Sequence, residues 1–304
     1  MNREKNSPLV TIGVPLYNEE KYIGESLLSV INQSYKPITI IISDNGSKDK
    51  SLDIVNELAA KYPDITVYAQ EQNKGPYFNF RFLLDTANTN YFMWFGAHDY
   101  MAPDFIENAV KKLEADKTIV EVYPKMGTII HNEKIPDYTH DDFEVKTNSI
   151  TDRFLKIIEN VNTGSATHGL YRTDVLRKSY IDINGGDLFL FLNAAKEGIL
   201  QPSDELGYYL REVGRTENPA DTDARYFSYG FKKNWRLIHS MYPYEVISSI
   251  KGITLKEKLN LLSKARVAMF KFGGRSWKQI FVYHLKKYKL KVAYLALLCK
   301  IKAL

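Results

Sequence analysis

The residues most able to do chemistry in this chain are polar side chains that follow apolar segments. His98 and Asp99 come directly after the aromatic run 91–95 and a two-residue turn. A carboxylate beside an imidazole can bind a cation or accept a proton. Open α/β sheets bind their ligands at the carboxyl ends of strands, where we expect this pair to lie. In the alternative interpretation, Asp99 only caps the helix predicted at 103–112.

The elements that must position this pair alternate between strand and helix. Strands are predicted at 9–14, 38–42, 65–69 and 91–95, and helices at 21–33, 50–62 and 78–88. This alternation predicts an α/β fold with a mostly parallel central sheet and helices on both faces. Loops after parallel strands meet at one sheet edge, so polar residues far apart in the chain are expected to converge there. These residues are Tyr17, Asn18, Glu19, Asp44, Asn45, Lys74, His98 and Asp99.

The pattern changes after residue 103. Two short strands, 119–123 and 127–131, are predicted to pair through a short turn, and a last strand is predicted at 208–213. The sequence beyond 218 is helical and rich in aromatic residues. We therefore expect an α/β domain over residues 1–217 and a helical C-terminal region over residues 218–304.

Composition and missing motifs exclude several classes. A single cysteine, Cys299, excludes an internal disulfide framework and a cysteine-based zinc site. No G-x-G-x-x-G or G-x-x-x-x-G-K-[ST] motif is present, which argues against a dinucleotide dehydrogenase and a P-loop kinase. The net charge is +5, but residues 275–304 carry eight Lys or Arg and no acid, so the rest of the chain offers no basic face for nucleic acid. Without a secretory signal or a bilayer-spanning run, a cytoplasmic location is expected.

Short motifs from residue 8 to residue 215 resemble those of family 2 glycosyltransferases with the GT-A fold. They are Val14-Pro15-Leu16-Tyr17-Asn18-Glu19, Ser43-Asp44-Asn45-Gly46-Ser47-Lys48-Asp49, Asn73-Lys74-Gly75, Gly96-Ala97-His98-Asp99, Thr167-His168-Gly169-Leu170-Tyr171-Arg172 and Gly185-Gly186-Asp187. Each motif is moderately specific, and their order and spacing together are strongly specific. The resemblance implies transfer of a sugar from a nucleoside-diphosphate sugar.

The resemblance implies a donor nucleotide site after the first strands. Its residues are Pro15, Tyr17, Glu19, Asp44, Asn73, Lys74, His98 and Arg211. A carboxylate can accept from a base N–H or a ribose hydroxyl, and Tyr17 offers a ring for stacking. Two alternatives stay open: Glu19 as an acid at a helix N-terminus, and Asp44 as an Asx-turn residue.

The resemblance also implies a divalent cation, Mn²⁺ or Mg²⁺, that bridges the donor diphosphate. Asp99, with His98, would be the metal site, and His98 stands where relatives usually carry an acid. This replacement would favour Mn²⁺ or weaken the site. His98 as a simple hydrogen-bonded turn residue is the alternative.

Asp187 lies where the family carries its catalytic base, which takes the proton of the acceptor hydroxyl. An alternative role for Asp187 is to cap the helix predicted at 188–197.

By the same resemblance, His168, Tyr171 and Arg172 line the sugar and acceptor pocket, although Arg172 could be a surface charge instead. The Q-x-x-R-W motif of processive polymerases is absent, which favours addition of one sugar at a time.

The expected activity is therefore an inverting transfer of one sugar to a glycan or lipid-linked glycan acceptor in cell-surface polysaccharide biosynthesis. A UDP-sugar is the donor that we expect. Residues 275–304 are predicted to form a basic amphipathic tail that would contact the inner face of a membrane or pack on the protein, and a homodimer is expected as a further partner. A sugar-phosphate nucleotidyltransferase and a non-catalytic glycan-binding or scaffold protein are the rival functions.

Overall fold

A computed structural model describes residues 7–136, 143, 147, 149–161, 164–182, 187–212 and 246–273, with side chains described up to residue 265. The strands within these ranges are β1 (Val10–Leu16), β2 (Ile38–Asp44), β3 (Ile65–Ala69), β4 (Tyr91–Trp94), β5 (Tyr100–Met101), β6 (Ile119–Ile130), β7 (Glu133–Pro136), β8 (Leu170–Arg172) and β9 (Ile199–Arg211). The helices are α1 (Ile23–Ile31), α2 (Ser51–Lys61), α3 (Pro76–Thr86), α4 (Phe105–Ala115), α5 (Ile150–Asn160), α6 (Thr173–Ser179), α7 (Asp187–Glu197) and α8 (Leu255–Gly273), with a 3₁₀ turn at Ser165–His168.

The strands form one curved sheet in the order β3-β2-β1-β4-β8-β6-β9-β5, with β7 paired to β6. Strands β3, β2, β1 and β4 are mutually parallel, as the strand–helix alternation predicted. β1 and β2 are apolar and almost entirely buried, as expected for parallel strands covered on both faces. The predicted α/β fold, mostly parallel with helices on both faces, is confirmed.

Two apolar cores flank the sheet. One core joins β1, β2 and β4 to side chains of α1 and α4. The other core joins the opposite face of the sheet to α3, α5, α6, α7 and α8. Within the described ranges, no helix is both long and apolar enough to cross a membrane.

The predicted hairpin between 119–123 and 127–131 is wrong, because these residues form the single strand β6. Pro124 has no N–H to donate, and the pairing of β6 with β9 shifts register on both sides of Lys125. Such irregularities absorb a proline without ending the strand. The actual hairpin follows, since β6 pairs with β7 through His131 and Asn132, which both have positive φ.

The C-terminal part of the described chain is helical, in line with the prediction. α8 packs against α5, and Lys264 forms an ion pair with Glu159 at 3.0 Å. Residues 213–245 and 274–304 lie outside the described residues, and they include the predicted boundary at 217 and the basic tail. The division into two domains stays a prediction.

Candidate active site

The loop after β1 meets the loop after β2 at the carboxyl edge of the sheet, because Leu16 and Asp44 are register partners at the ends of these strands. Asn18 has a φ of 54°, its N–H donates to Oγ of Ser47, and its side-chain oxygen accepts from the N–H of Lys48. These bonds fix the turn that follows Pro15 and leave Tyr17 41% exposed at the edge.

Asp44 is buried at this edge, with 1% of its surface exposed. Its Oδ2 accepts from the N–H groups of Gly46 and Ser47 at 3.2 and 3.1 Å, so the Asx-turn is present. Within the described part of the chain, Oδ1 is also buried and has no hydrogen-bond partner. Since an unpaired buried carboxylate oxygen is costly, Oδ1 is a ready acceptor for a ligand N–H or O–H.

Asn45 holds the segment 73–75 beside this turn. Its amide nitrogen donates to Oδ1 of Asn73 at 2.9 Å and to the carbonyl of Gly75, and its amide oxygen accepts from the N–H of Lys74. The Lys74 ammonium lies 4.6 Å from the ring centre of Phe78. The structure thus brings the predicted donor residues Asn73 and Lys74 to the same edge as Asp44.

His98, in the turn after β4, forms a side-chain hydrogen bond with Glu19, in the loop after β1. Nδ1 of His98 lies 2.9 Å from Oε1 of Glu19, and Nε2 lies 3.8 Å from Oδ1 of Asp99. Burial disfavours the charged ring, but the hydrogen bond to Glu19 and the charges of Asp99 and Glu19 outweigh burial and the charge of Arg211. The pKa of His98 is therefore raised.

Asp99 is only 2% exposed, and both of its carboxylate oxygens are bonded within the protein. Oδ2 accepts from the hydroxyl of Tyr208, and Oδ1 accepts from the main-chain N–H of Arg211, each at 2.9 Å. It does not cap α4, which begins at Phe105 after Asp104. The capping interpretation of Asp99 is therefore wrong, and the carboxylate instead joins the turn after β4 to β9.

Arg211 is 93% buried and uses its guanidinium within the protein. Nε donates to the carbonyl of His98 at 2.9 Å, Nη1 to Asn132 at 3.2 Å and Nη2 to Glu25 at 2.7 Å. The group also lies 4.7 Å from the ring centre of Tyr22. These bonds use three of the five guanidinium N–H donors within the protein, and the predicted contact with a diphosphate stays a prediction.

Asp187 and His168 lie near each other on a second group of elements, the start of α7 and the 3₁₀ turn Ser165–His168. Asp187 is the first residue of α7, and its Oδ1 accepts from the hydroxyl of Thr167 at 3.2 Å. The ring of His168 stacks on Tyr208 with 4.8 Å between centres. Because Tyr208 also bonds Asp99, the 3₁₀ turn carrying Thr167 and His168 links Asp187 to the His98–Asp99 turn.

Tyr171 and Arg172 do not join this group. Tyr171 is fully buried among apolar side chains in the core between the sheet and α5–α8, and its predicted contact with a sugar stays a prediction. Arg172 is the register partner of Tyr91, the first residue of β4, and so lies at the opposite end of that strand. Its guanidinium donates to the carbonyls of Leu113 and Ile119. Arg172 is not a free surface charge, because its hydrogen bonds close the end of α4, and it lines a cavity of about 720 Å³ beside Tyr91 at this opposite end of the strand.

The donor set does not fit a divalent cation. Mg²⁺ and Mn²⁺ require open carboxylate oxygens, but those of Asp99 are buried and bonded, and His98 faces Glu19 through Nδ1. In the described ranges, no three His, Cys, Asp or Glu side chains are grouped to hold a metal. The expected metal site at Asp99 and His98 is therefore not supported by this geometry.

Sequence reasoning missed the part played by Tyr208, the buried phenol at the centre of this arrangement. Its hydroxyl accepts from the N–H of Gly96 at 2.8 Å and donates to Asp99. Burial and the charge of Asp99 raise its pKa well above the ordinary value. The only sequence signal was its position in the predicted strand 208–213, and that signal says nothing about its partners.

The curved, mostly parallel sheet with polar loops at one carboxyl edge is the fold of the GT-A class, to which the glycosyltransferase TarS belongs. Comparison with known proteins identifies the family. The chain matches the model of glycosyl transferase family 2 over residues 11–179 and belongs to that family.

Three known proteins illustrate the similarity. A dolichyl N-acetyl-α-D-glucosaminyl phosphate 3-β-D-2,3-diacetamido-2,3-dideoxy-β-D-glucuronosyltransferase of Methanococcus voltae is 30% identical over 218 residues, which are 66% of this chain and 67% of that protein. Staphylococcus aureus TarS 1–349, solved with UDP-GlcNAc, superposes with a TM-score of 0.65 at 19% identity, covering 95% of this chain and 79% of that one. The mannosyltransferase PcManGT of Pyrobaculum calidifontis, solved with GDP-Man and Mn²⁺, gives 0.51 at 16% identity, covering 98% and 88%. Other curated relatives are matched over less than half of their length.

Proposed function

We propose that this protein transfers one sugar from a nucleoside-diphosphate sugar to a hydroxyl of a glycan or lipid-linked glycan acceptor. The preferred donor is a UDP-sugar, and the transfer inverts the configuration at the anomeric carbon. Two similar proteins were solved with UDP-GlcNAc and GDP-Man, which supports a nucleotide-sugar donor. The name of the Methanococcus voltae relative describes a dolichyl phosphate-linked acceptor, which supports a lipid-linked glycan.

In this proposal the donor nucleotide lies between the loops that follow β1, β2 and β3. The observation that carries it is the buried Oδ1 of Asp44, which has no hydrogen-bond partner among the residues that the structure describes and would accept from the base or the ribose. Tyr17, exposed beside this carboxylate, would stack on the base. Pro15 and the segment of Asn73 and Lys74 would complete the wall of the nucleotide site.

Asp187 would be the catalytic base. An acceptor hydroxyl is a weak nucleophile until a carboxylate within hydrogen-bond reach takes its proton as the new C–O bond forms. The bond from Thr167 engages one carboxylate oxygen of Asp187 and orients the group. His168, on the same turn, would contact the sugar or the acceptor. Cleavage of the anomeric C–O bond would release the nucleoside diphosphate.

The sequence predicted a divalent cation at the donor diphosphate. One structural neighbour contains Mn²⁺, and such an ion would neutralise charge on the leaving diphosphate. The donors at His98 and Asp99 do not fit an ion, however, so no step is assigned to one. Contact of residues 275–304 with a membrane stays a prediction, because these residues lie outside the described ranges. The cytoplasmic location and the homodimer also stay predictions.

The proposal is tested with Asp187→Asn, which keeps the shape of the base and removes its proton affinity. With purified protein, donor and acceptor, we expect the transfer rate to fall about 10²- to 10⁴-fold, while nucleotide affinity stays unchanged. Asp174→Asn is the matched control, because Asp174 is an exposed acid in the first turn of α6. Full transfer by Asp187→Asn would remove Asp187 as the base. Wild-type protein that binds no nucleotide at all would favour the rival function, a non-catalytic glycan-binding or scaffold protein.

A further inference from the structure

The cavity of about 720 Å³ that Arg172 lines opens at the end of β4 opposite the candidate active site. Tyr91, the first residue of β4, and Arg172, its register partner on β8, form one side of it. The turn before β4, the end of α4 and the helix α6 complete the lining. A cavity of this volume is large enough for a small organic ligand, and the activity proposed above uses none of the residues around it.

The two carboxylates of this cavity already have cationic or hydrogen-bond partners. Oε1 of Glu114 accepts from the hydroxyl of Tyr91, and its Oε2 accepts from the ammonium of Lys117 at 2.7 Å. Oδ2 of Asp174 lies 3.8 Å from the ammonium of Lys178, one turn further along α6. The negative charges beside the cavity are therefore balanced within the protein.

Two guanidinium groups of the cavity keep unpaired donors. Nε and Nη2 of Arg172 donate to main-chain carbonyls and Nη1 donates to the hydroxyl of Tyr91, so one Nη1 N–H has no acceptor in the described part of the chain. Arg177 donates through Nη2 to the carbonyls of Leu84 and Ala87, and its Nε and Nη1 have no acceptor there. Neither guanidinium forms an ion pair with a carboxylate of the described residues. The cavity thus carries two positive charges that no carboxylate balances.

A buried hydroxyl lies next to Arg172 in the same lining. Thr173 is 2% exposed, and its Oγ1 has no hydrogen-bond partner among the residues that the structure describes. Its main-chain N–H donates to the carbonyl of Asn90 at 3.0 Å, which holds it beside the turn before β4. The side-chain oxygen of Asn90 accepts from the N–H of Leu9, whereas its NH₂ group has no acceptor within the described ranges. Since a buried hydroxyl without a partner is costly, Thr173 marks a position where a ligand atom would be stabilised.

The unpaired groups of this cavity are mainly donors, and two of them are charged. A phosphate group offers negative charge and three terminal oxygens, and charge-assisted hydrogen bonds from guanidinium groups are the strong ones. We propose that this cavity is a second ligand site, separate from the active site, which binds a small molecule through a phosphate group held by Arg172, Arg177 and the hydroxyl of Thr173. The inference does not depend on the proposed function, because it uses other residues at the other end of β4.

The test titrates inorganic phosphate into the full chain by calorimetry at an ionic strength held constant with sodium chloride, with sodium acetate in a parallel series. The wild type is expected to bind phosphate in a saturable manner and acetate at least about threefold more weakly, because a carboxylate has one terminal oxygen fewer. Acetate that binds as tightly as phosphate, or no saturable binding of phosphate, would overturn the inference.

Thr173→Val replaces the hydroxyl with a methyl group of the same shape. We expect phosphate to bind at least about threefold more weakly, while the free energy of unfolding is unchanged or higher, because the hydroxyl has no partner to lose. A purely structural threonine would not show weaker binding at undiminished stability. Thr66→Val, at an exposed position of β3, is the matched control and is expected to bind phosphate like the wild type.

Arg177→Gln removes one charge of the site and keeps an NH₂ donor, and it is expected to bind phosphate at least about tenfold more weakly. Lys264→Gln is its control, because it removes one positive charge from an exposed pair with Glu159. Wild-type affinity in both Thr173→Val and Arg177→Gln, or an equal loss in Lys264→Gln, would contradict a site in this cavity. If Arg177→Gln does not fold, as judged by circular dichroism, Thr173→Val decides the question. Each of these outcomes leaves the proposed sugar transfer standing, which Asp187→Asn tests separately.

Discussion

The hydroxyl of Tyr208 donates to Oδ2 of Asp99 at 2.9 Å and accepts at the same time from the main-chain N–H of Gly96 at 2.8 Å. These bonds, with the one from Arg211 to the other carboxylate oxygen, attach the turn after β4 to β9. Asp99 is therefore a structural residue at the edge of the site. It holds His98, its neighbour in the chain, in position.

Asp99→Asn is expected to lower the free energy of unfolding by about 1–3 kcal/mol. An asparagine has one acceptor oxygen, so its NH₂ group would face either the N–H of Arg211 or the hydroxyl of Tyr208. One buried polar group would then lose its partner. Chemical denaturation of the wild type and the variant measures the difference.

Asp204→Asn makes the same exchange in a side chain that is 81% exposed and paired with Lys112. Exposed ion pairs contribute little, so this control is expected to change stability by less than about 1 kcal/mol. If the two variants were equally stable, the attachment of the turn to β9 by Asp99 would be unimportant for stability.

Gly96→Ala tests how closely the turn packs on the carboxylate. A Cβ atom at position 96 would lie only 2.0 Å from Oδ2 of Asp99 and 3.2 Å from the hydroxyl of Tyr208. The carboxylate has to move away, and its two hydrogen bonds weaken. We expect a loss of about 1–3 kcal/mol in the free energy of unfolding, measured by denaturation, together with weaker nucleotide binding.

Gly24→Ala is the contrasting substitution. Gly24 lies in α1, and the nearest atom to its added Cβ would be Cγ2 of Ile54 at 3.8 Å, an ordinary contact. Replacing a helical glycine with alanine in open space is expected to raise stability by about 0.5–1 kcal/mol. Opposite signs for the two alanine variants would support the geometry of the turn, and equal effects would contradict it.

Arg172→Met tests the position of Arg172 at the far end of β4. The guanidinium donates to the carbonyls of Leu113 and Ile119 at 2.5 and 2.8 Å, so its loss leaves the end of α4 without these donors. We expect the free energy of unfolding to fall by about 1–3 kcal/mol. The KM for donor and acceptor should stay within about twofold of the wild type, because the side chain is remote from the carboxyl edge.

Lys178→Met is the control for Arg172→Met, since Lys178 is 62% exposed and only 3.8 Å from Asp174 in a surface pair. Its stability is expected to stay within about 0.5 kcal/mol of the wild type. A raised acceptor KM for Arg172→Met at unchanged stability would indicate that Arg172 contacts the acceptor, and it would contradict the contacts described above.

Local patterns were enough to predict the carboxyl edge but not what holds it together. Asp44 was found because it ends an apolar strand, and parallel strands must bring such ends together. The attachment of Asp99 to Tyr208 spans 109 positions and depends on β5 pairing antiparallel with β9. No periodicity within one element encodes a contact of that kind.

The sequence could not place Arg172 at the correct end of its strand, for a related reason. Its segment resembled a family motif, but resemblance gives the order of residues along the chain and not the end of the strand at which each one lies. The antiparallel pairing of β8 with β4 sends Leu170 to Arg172 away from the carboxyl edge. His168, two residues before β8, is still at that edge.

The ring of His98 between two carboxylates predicts how stability depends on pH. Burial disfavours the charged ring, but Glu19 and Asp99 outweigh both burial and the charge of Arg211, so the pKa of His98 is raised. A histidine with a raised folded-state pKa adds stability that is fully present below its unfolded pKa of about 6.5. That stability is lost as the pH rises through the folded-state pKa.

Glu19→Gln removes the carboxylate bonded to Nδ1 and with it most of this effect. The wild type is expected to exceed Glu19→Gln in free energy of unfolding by more at pH about 6 than at pH about 9, because the wild type gains more from the charged ring than the variant does. Urea denaturation at both pH values measures it. Glu159→Gln should show a difference from the wild type that does not change between these pH values. A Glu19→Gln difference that stays constant or grows towards pH 9 would mean that the wild-type ring is neutral, and the pair of His98 with Glu19 would then be an ordinary hydrogen bond.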